Sequence, residues 1–287
     1  MKGKFNIGNF PSHCSKEKIY FKTYSPDKEA KAHLIIIHDI SEHHGRYLEI
    51  VSFLEKKKLD DLAISWIDLK GHGLSSGARS YVESFNDYSR DLQHYLSSIV
   101  NSEVPTFVLG HGVGSLVALN NVSLYSEDFS KRITGLILTN PCIRLKMEFP
   151  RYLGKMDESI FGSLTKKVRV PYHIHGLELT QDEVKAMAYD SDPLVNHFIS
   201  NSLLQEVYST SKKLRQISYY IDVPTFVVIG WRDYFCDHDM TKLFIKGGDK
   251  RLFDSLELPS FGHDLFNELN RDKFFQALYN WIKNKIR

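Results

Sequence analysis

The sequence offers few features that place a chain in a special class at sight. No apolar run approaches the ~20 residues needed to span a bilayer; the longest purely aliphatic one, LIII, covers 34–37. The opening MKGKFNIGNF has no apolar h-region, so no Sec-type signal peptide is expected. Cysteine is scarce: 14, 142 and 236, an odd count with no C-x-x-C pair. That excludes a disulfide-stapled scaffold and fits a reducing compartment with buried or idle thiols. Charge of one sign is also missing. With 37 basic and 35 acidic residues the formal net charge is +2, so no basic field argues for nucleic acid. No repeat of 20–50 residues and no low-complexity stretch appears. The glycine-containing GHGLSSG at 71–77 lacks the lysine of a phosphate loop and does not open a helix. No cofactor is implied, and the expected location is cytoplasmic, at most peripheral to a membrane.

The 287 residues that remain, 42% hydrophobic and 25% charged, suit a soluble globule with a sizeable core. Short apolar runs alternate with longer amphipathic ones. HLIIIH (33–38), LAISWID (62–68), PTFVLG (105–110), TGLILTN (134–140), VPTFVVIG (223–230) and RLFDSLEL (251–258) read as strands, most needing cover on both faces. Between them, 46–58, 84–100, 113–126, 239–248 and about 271–286 carry helical spacing, with Ser84 as an N-cap. Strands alternating with helices predict an α/β fold with a mostly parallel sheet flanked by helices. Residues 142–222 break the rhythm, with helical patterns near 180–189 and 200–217. They read as a mainly helical cap inserted into a single domain spanning 1–287.

In open α/β sheets, ligands bind beyond the carboxyl ends of the strands. Asp233 and His263 follow late strands in the order acid, then His, as in a triad that runs Ser, Asp, His along the chain. The one literal G-x-S-x-G, at 73–77, lies several residues past its strand and opens no helix. The required context, strand then sharp turn then helix, occurs at GHGVG (110–114), and there the nucleophile position holds Gly112.

HDISEHHGRY (38–47), DLKGHGLSSG (68–77), GHGVGS (110–115), DSDPLV (190–195) and FGHDLFNE (261–268) resemble, in order and spacing, the motifs of the monoacylglycerol lipase and lysophospholipase family of α/β-hydrolases. The resemblance runs from about 17 to 285. It implies an α/β-hydrolase fold and hydrolysis of single-chain acyl esters by a Ser-Asp-His triad. It makes His263 the general base, Asp233 its orienting acid, and the backbone N–H groups of Ile40 and Val113 the oxyanion hole.

Three departures stand out: Gly112 for the family's Ser, Asp39 for the Gly of its HG, and Ser115 for a later Gly. A knock-out of a working lipase explains Gly112 alone; divergence accounts for all three. If Asp39 points inward, it opposes negative charge on a substrate oxygen. Gly at 112 would relieve elbow strain of about 1–3 kcal/mol. The protein is thus expected to be a lipase-like hydrolase that lacks its nucleophile, a non-catalytic acyl-lipid binder, or a scaffold. Phe149, Tyr152, Leu153, Met156, Ile160, Phe161 and Leu164 are the expected lining of an acyl channel under the cap. Lys166, Lys167 and Arg169 form either a solvated basic face or a transient contact with a membrane surface. The clustered His38, His43 and His44, and the pair His173 and His175, lack the cysteines or carboxylates that would complete a tetrahedral metal site, and none is expected. His111 is expected to pack and His72 to brace its loop.

Overall fold

The computed structural model describes residues 3–13, 16–101, 103–146, 166–172 and 174–286. Its centre is an eight-stranded sheet in the order β1-β2-β4-β3-β5-β6-β9-β10. The strands are β1 (Lys4–Pro11), β2 (Lys18–Ser25), β3 (Ala32–Ile37), β4 (Leu62–Ile67), β5 (Thr106–His111), β6 (Gly135–Thr139), β9 (Thr225–Gly230) and β10 (Phe253–Leu258). From β4 to β10 all pairings are parallel, whereas β1 and β2 add an antiparallel edge. That edge was not expected. β1 is mostly exposed, β2 buries only Ile19, Tyr20 and Tyr24, and neither contains a continuous apolar run.

Period-two alternation divides the core between the two faces. Leu34 and Ile36 of β3, Phe107 and Leu109 of β5, and Phe226 and Val228 of β9 pack with α1 (Glu49–Lys57) and the last helix, α8 (Arg271–Lys285). Ile35, Ile37, Val108, Val227 and Ile229 face the other way, onto α2 (Asn86–Ser98), α3 (Val113–Arg132) and α7 (His238–Gly247). Each such Ile, Leu or Phe, fully removed from water, contributes about 1.5–3 kcal/mol, so both faces must be covered. The helix expected over 46–58 is split into a 3-10 turn, His44–Tyr47, and α1. Ser84 lies just ahead of α2 and its Oγ accepts the Asn86 N–H at 3.3 Å.

Between β6 and β9 the described residues form β7 (Arg169–Pro171), α4 (Gly176–Leu179), α5 (Glu183–Ser191), β8 (Phe198–Ser200), α6 (Asn201–Lys213) and a 3-10 turn, Leu214–Tyr220. β7 and β8 pair as a small antiparallel ribbon. Ser200 caps α6 through Leu203 N–H at 3.1 Å, and Asp182 caps α5 through Lys185 N–H at 3.2 Å. Among the described residues no helix is long and apolar enough to cross a membrane.

Candidate active site

Four loops at the carboxyl ends of β3, β5, β9 and β10 converge on one point. β5 ends at His111, Gly112 turns the chain, and α3 begins at once with Val113. Gly112 has φ +52° and ψ −116°, a region that a residue with a side chain enters only under strain. Gly114 lets α3 approach β3 closely: a Cβ there would lie 2.3 Å from the Ile37 carbonyl oxygen.

The β3 loop supplies Asp39, and its carboxylate points inward. Oδ1 accepts the Val113 N–H at 2.5 Å, and Oδ2 accepts from His263 Nε2 at 2.9 Å. A Cβ built on Gly112 would lie 2.2 Å from Asp39 Cγ and 2.6 Å from Oδ2. The carboxylate therefore fills the volume of a residue-112 side chain, and it takes the N–H expected to serve the oxyanion hole. The other expected donor, Ile40, lines the cavity next to it.

Asp233, after β9, accepts from His263 Nδ1 at 3.0 Å through Oδ2. Its Oδ1 accepts the N–H groups of Phe235 and Cys236 at 2.7 and 3.1 Å. His263 thus lies between two carboxylates, with both ring nitrogens engaged. Burial opposes charge on all three groups, but the mutual attraction outweighs it. His263 is held well above its ordinary pKa, and Asp39 and Asp233 are held below theirs. These directions favour a carboxylate–imidazolium–carboxylate arrangement of net charge −1, in which the ring would have no lone pair with which to take a proton.

The other sequence candidates have structural partners. Ser75 donates to the Asp68 carbonyl at 2.6 Å and accepts the Tyr20 N–H at 2.8 Å. Ser115 donates to the Gly110 carbonyl at 2.6 Å, away from the site. His38 and His44 brace loops through Leu69 N–H and Asp68. His43 meets Asp192 at 2.9 Å, and Asn196 N–H donates to the Ser41 carbonyl at 2.8 Å, so DSDPLV ties the β6–β9 segment to the β3 loop. His72 contacts the Lys70 carbonyl at 3.1 Å. His111 contacts Thr139 Oγ1 at 2.9 Å, and its ring packs 4.9 Å from that of His263. Lys166 pairs with Glu83 at 3.3 Å and Lys167 lies over the Tyr81 ring, which favours the solvated-face reading of the basic run.

A cavity partly open to solvent stands above the carboxylate. The expected lining residues Phe149, Tyr152, Leu153, Met156, Ile160, Phe161 and Leu164 lie outside the described residues. Most of the apolar wall that is described comes from the same β6–β9 segment, Leu145, Tyr172, Ile174, Leu179, Tyr189, Leu204 and Val207, and Phe235 adds to it from the loop after β9.

Sequence reasoning missed two supports. Asn140, at φ +41°, donates to the carbonyls of Gly262 and His263 at 3.0 and 2.7 Å and accepts the Gly230 N–H at 2.7 Å. It fixes the His263 loop to the sheet; an Asn ending an apolar strand was the available signal. The second is a buried Glu42–Arg46–Asp264 chain. Arg46 donates to Glu42 at 3.1 Å and to Asp264 at 2.7 Å, joining the β3 loop to the His263 loop.

Comparisons with known proteins bear on the fold and the family. Phospholipase YtpA of Bacillus subtilis is 26% identical over 256 residues, covering 89% of this chain and 96% of its own. The monoglyceride lipase homolog of Monkeypox virus is 26% identical over 292 residues, covering 99% and 98%. Two other relatives are longer proteins: the chain spans 42% of the uncharacterized protein YnbC of Escherichia coli and 28% of an uncharacterized abhydrolase domain-containing protein of Dictyostelium discoideum. The crystal structure of a soluble variant of monoglyceride lipase from Saccharomyces cerevisiae superposes with a TM-score of 0.80 at 18% identity, covering 99% of this chain and 96% of that one. The mostly parallel sheet with its flanking helices is that of the α/β-hydrolases. The sequence model of the family described as serine aminopeptidase, S33, matches residues 28–270, and the chain belongs to that family.

Proposed function

We propose that this protein binds single-chain acyl lipids or esters in a lipase-type pocket and does not carry out serine acyl transfer. One observation carries the reading: the Asp39 carboxylate occupies the serine's volume at Gly112 while the apolar cavity above it is kept. The lysophospholipase or monoacylglycerol lipase chemistry of the resemblance needs a hydroxyl beside a neutral His263. Here position 112 has no side chain, and the imidazolium is held by two carboxylates. His263 and Asp233 take the role of anchoring Asp39 rather than that of activating a nucleophile. The names of the relatives support a lipid or ester ligand: a phospholipase, a monoglyceride lipase homolog, and a monoglyceride lipase crystallised with a substrate analog. The β6–β9 segment serves as the cap. Leu177, Val184 and Met187 stand exposed on its outer side, which supports contact with a membrane surface.

The test is titration with an octanoyl-to-hexadecanoyl monoacylglycerol series, alongside a fluorophosphonate probe. Each buried CH₂ is worth about 0.8 kcal/mol, so affinity should rise about fourfold per carbon until the cavity is full, with no probe attached. A flat chain-length response, or stoichiometric labelling of any serine, would overturn the reading.

A further inference from the structure

Among the described residues, the cations beside the cavity floor are already committed. His263 lies between Asp39 and Asp233, and Arg46 lies between Glu42 and Asp264. Lys146 is not among the lining residues, and its Nζ donates to the Asp233 carbonyl at 2.6 Å. No lysine or arginine is among the described lining residues, whereas Asp39 and Glu42 both line the cavity. Asp39 is bonded as a fatty-acid carboxylate would be if it entered this site, with one oxygen on a backbone N–H and the other on an imidazolium. It behaves as a tethered acid that fills its own binding seat.

We propose that Asp39 sets the head-group specificity of this cavity: it admits single-chain lipids whose head is uncharged and donates hydrogen bonds, such as the hydroxyls of a glycerol monoester, and rejects fatty-acid carboxylates. Two physical effects act together. A carboxylate entering the cavity meets a site of net charge −1 in a poorly screened environment, and like charges brought together at a buried interface cost several kcal/mol. It also finds the Val113 N–H and the His263 ring already bonded, so it would be desolvated without compensation. A hydroxyl has the opposite balance. Each Asp39 oxygen accepts one hydrogen bond and keeps further acceptor capacity, and Asp39 lines the cavity, so a hydroxyl there has an acceptor to donate to. This inference rests on the acyl-pocket reading above and adds the class of head group. Glu42 adds to it. Burial, with Asp264 and Asp39 nearby, pushes this carboxyl up to about 7 in spite of Arg46, so it can accept or donate but offers no positive charge.

The seat can be emptied. Asp39→Gly, which installs the residue of the HG motif, leaves the Val113 N–H and His263 Nε2–H without an acceptor, and a fatty-acid carboxylate fits both. Asp39→Asn keeps the shape and removes the charge, which separates occupancy from repulsion. Calorimetric titration near neutral pH with 1-monododecanoylglycerol and with dodecanoate tests the proposal. In the unmodified protein the glycerol ester should bind at least about tenfold more tightly, a difference of ~1.4 kcal/mol. In Asp39→Gly, dodecanoate should gain about tenfold or more while the ester, losing its hydroxyl acceptor, should weaken, and Asp39→Asn should give dodecanoate a smaller gain. Equal binding of ester and acid by the unmodified protein overturns the head-group inference and leaves the acyl pocket standing. So does a dodecanoate affinity that neither variant improves. Binding of neither ligand by the unmodified protein defeats the acyl pocket, and this inference with it. The comparison within the unmodified protein needs no variant to fold.

Discussion

A serine put back at position 112 should fail unless Asp39 is removed with it. Its Cβ would lie 2.2 Å from Asp39 Cγ and Oδ1, more than 1 Å inside the 3.4–4 Å of ordinary contact. Asp39 must then swing out, giving up its bonds to Val113 N–H and His263. Hydrogen bonds that involve a charged group contribute about 1.5–3 kcal/mol each. The serine must also take up φ near +52°, at about 1–3 kcal/mol. Gly112→Ser alone should therefore cost about 4 kcal/mol or more. Asp39→Gly alone strips the imidazolium of one carboxylate, at about 2–4 kcal/mol. In the double variant the hydroxyl occupies the vacated volume and meets His263, so only the elbow strain and part of the lost pairing remain. The two changes should thus be non-additive, with a coupling of about 3 kcal/mol in the stabilising direction. Urea denaturation of the four proteins measures this cycle, and hydrolysis of a short acyl ester follows it functionally. Only the double variant should hydrolyse the ester and react with a fluorophosphonate. Additivity within about 0.5 kcal/mol, or an active and fully stable Gly112→Ser single variant, would show that Asp39 does not occupy the serine's place.

Two further outcomes follow from the same cluster. His263, held up by Asp233 and Asp39, should show both ring nitrogens protonated by NMR through neutral pH, and Asp39→Asn should lower its pKa. Because the folded value is raised, this stabilisation is complete below the unfolded value of about 6.5 and is lost as pH rises through the folded one. The lowered Asp39 and Asp233 act at the other end, their contribution present above about 3.9 and lost as pH falls through their folded values. A His263 that titrates near its ordinary value in the unmodified protein would refute the ion triplet. Secondly, Cys142 and Cys236 are buried with their sulfurs 3.1 Å apart, so a mild thiol oxidant such as oxidised glutathione should form one intramolecular disulfide, seen as the loss of two titratable thiols and absent in Cys142→Ser. Burial and the neighbouring Cys142 push the Cys236 thiol up, so the reaction should be slow near neutral pH.

The central strands were legible because burial on both faces demands continuous apolar runs, and β3, β5 and β9 supply them. β1 and β2 were not, since a half-exposed edge needs no such run. Asp233 and His263 were legible from their place at strand ends and their order along the chain. Asp39 was legible only as an odd residue. Its direction depends on the loop that follows β3, where Asp39 N–H donates to Tyr47 Oη and Tyr47 in turn donates to Glu42. Those partners are local in sequence, but their geometry is set by the distant Arg46–Asp264 bond. The expected acyl lining, Phe149 to Leu164, lies outside the described residues; Tyr172, Ile174, Leu179, Leu204 and Val207, which do line the cavity, carry no motif that marks them in the sequence.

Position 112 and position 39 lie 73 residues apart and look like two separate losses. In space they are one exchange: either residue 112 carries a side chain or residue 39 does, because both would occupy the same volume against His263. A knock-out made on a working serine enzyme would need a parent in which a serine Cβ lies 2.2 Å from the Asp39 carboxylate carbon. That parent would have had to keep Asp39 in some other place, with a buried charge and no imidazolium to pair it, at several kcal/mol. Divergence meets no such obstacle. Gly112 relieves the elbow and makes room, Asp39 fills the room and satisfies both the Val113 N–H and His263, and Asp233 keeps its partner. The retained Asp233–His263 pair, which by itself would suggest a preserved catalytic engine, then has a structural use: removing His263 would leave two buried carboxylates without their partner, and removing Asp233 would leave His263 with Asp39 alone.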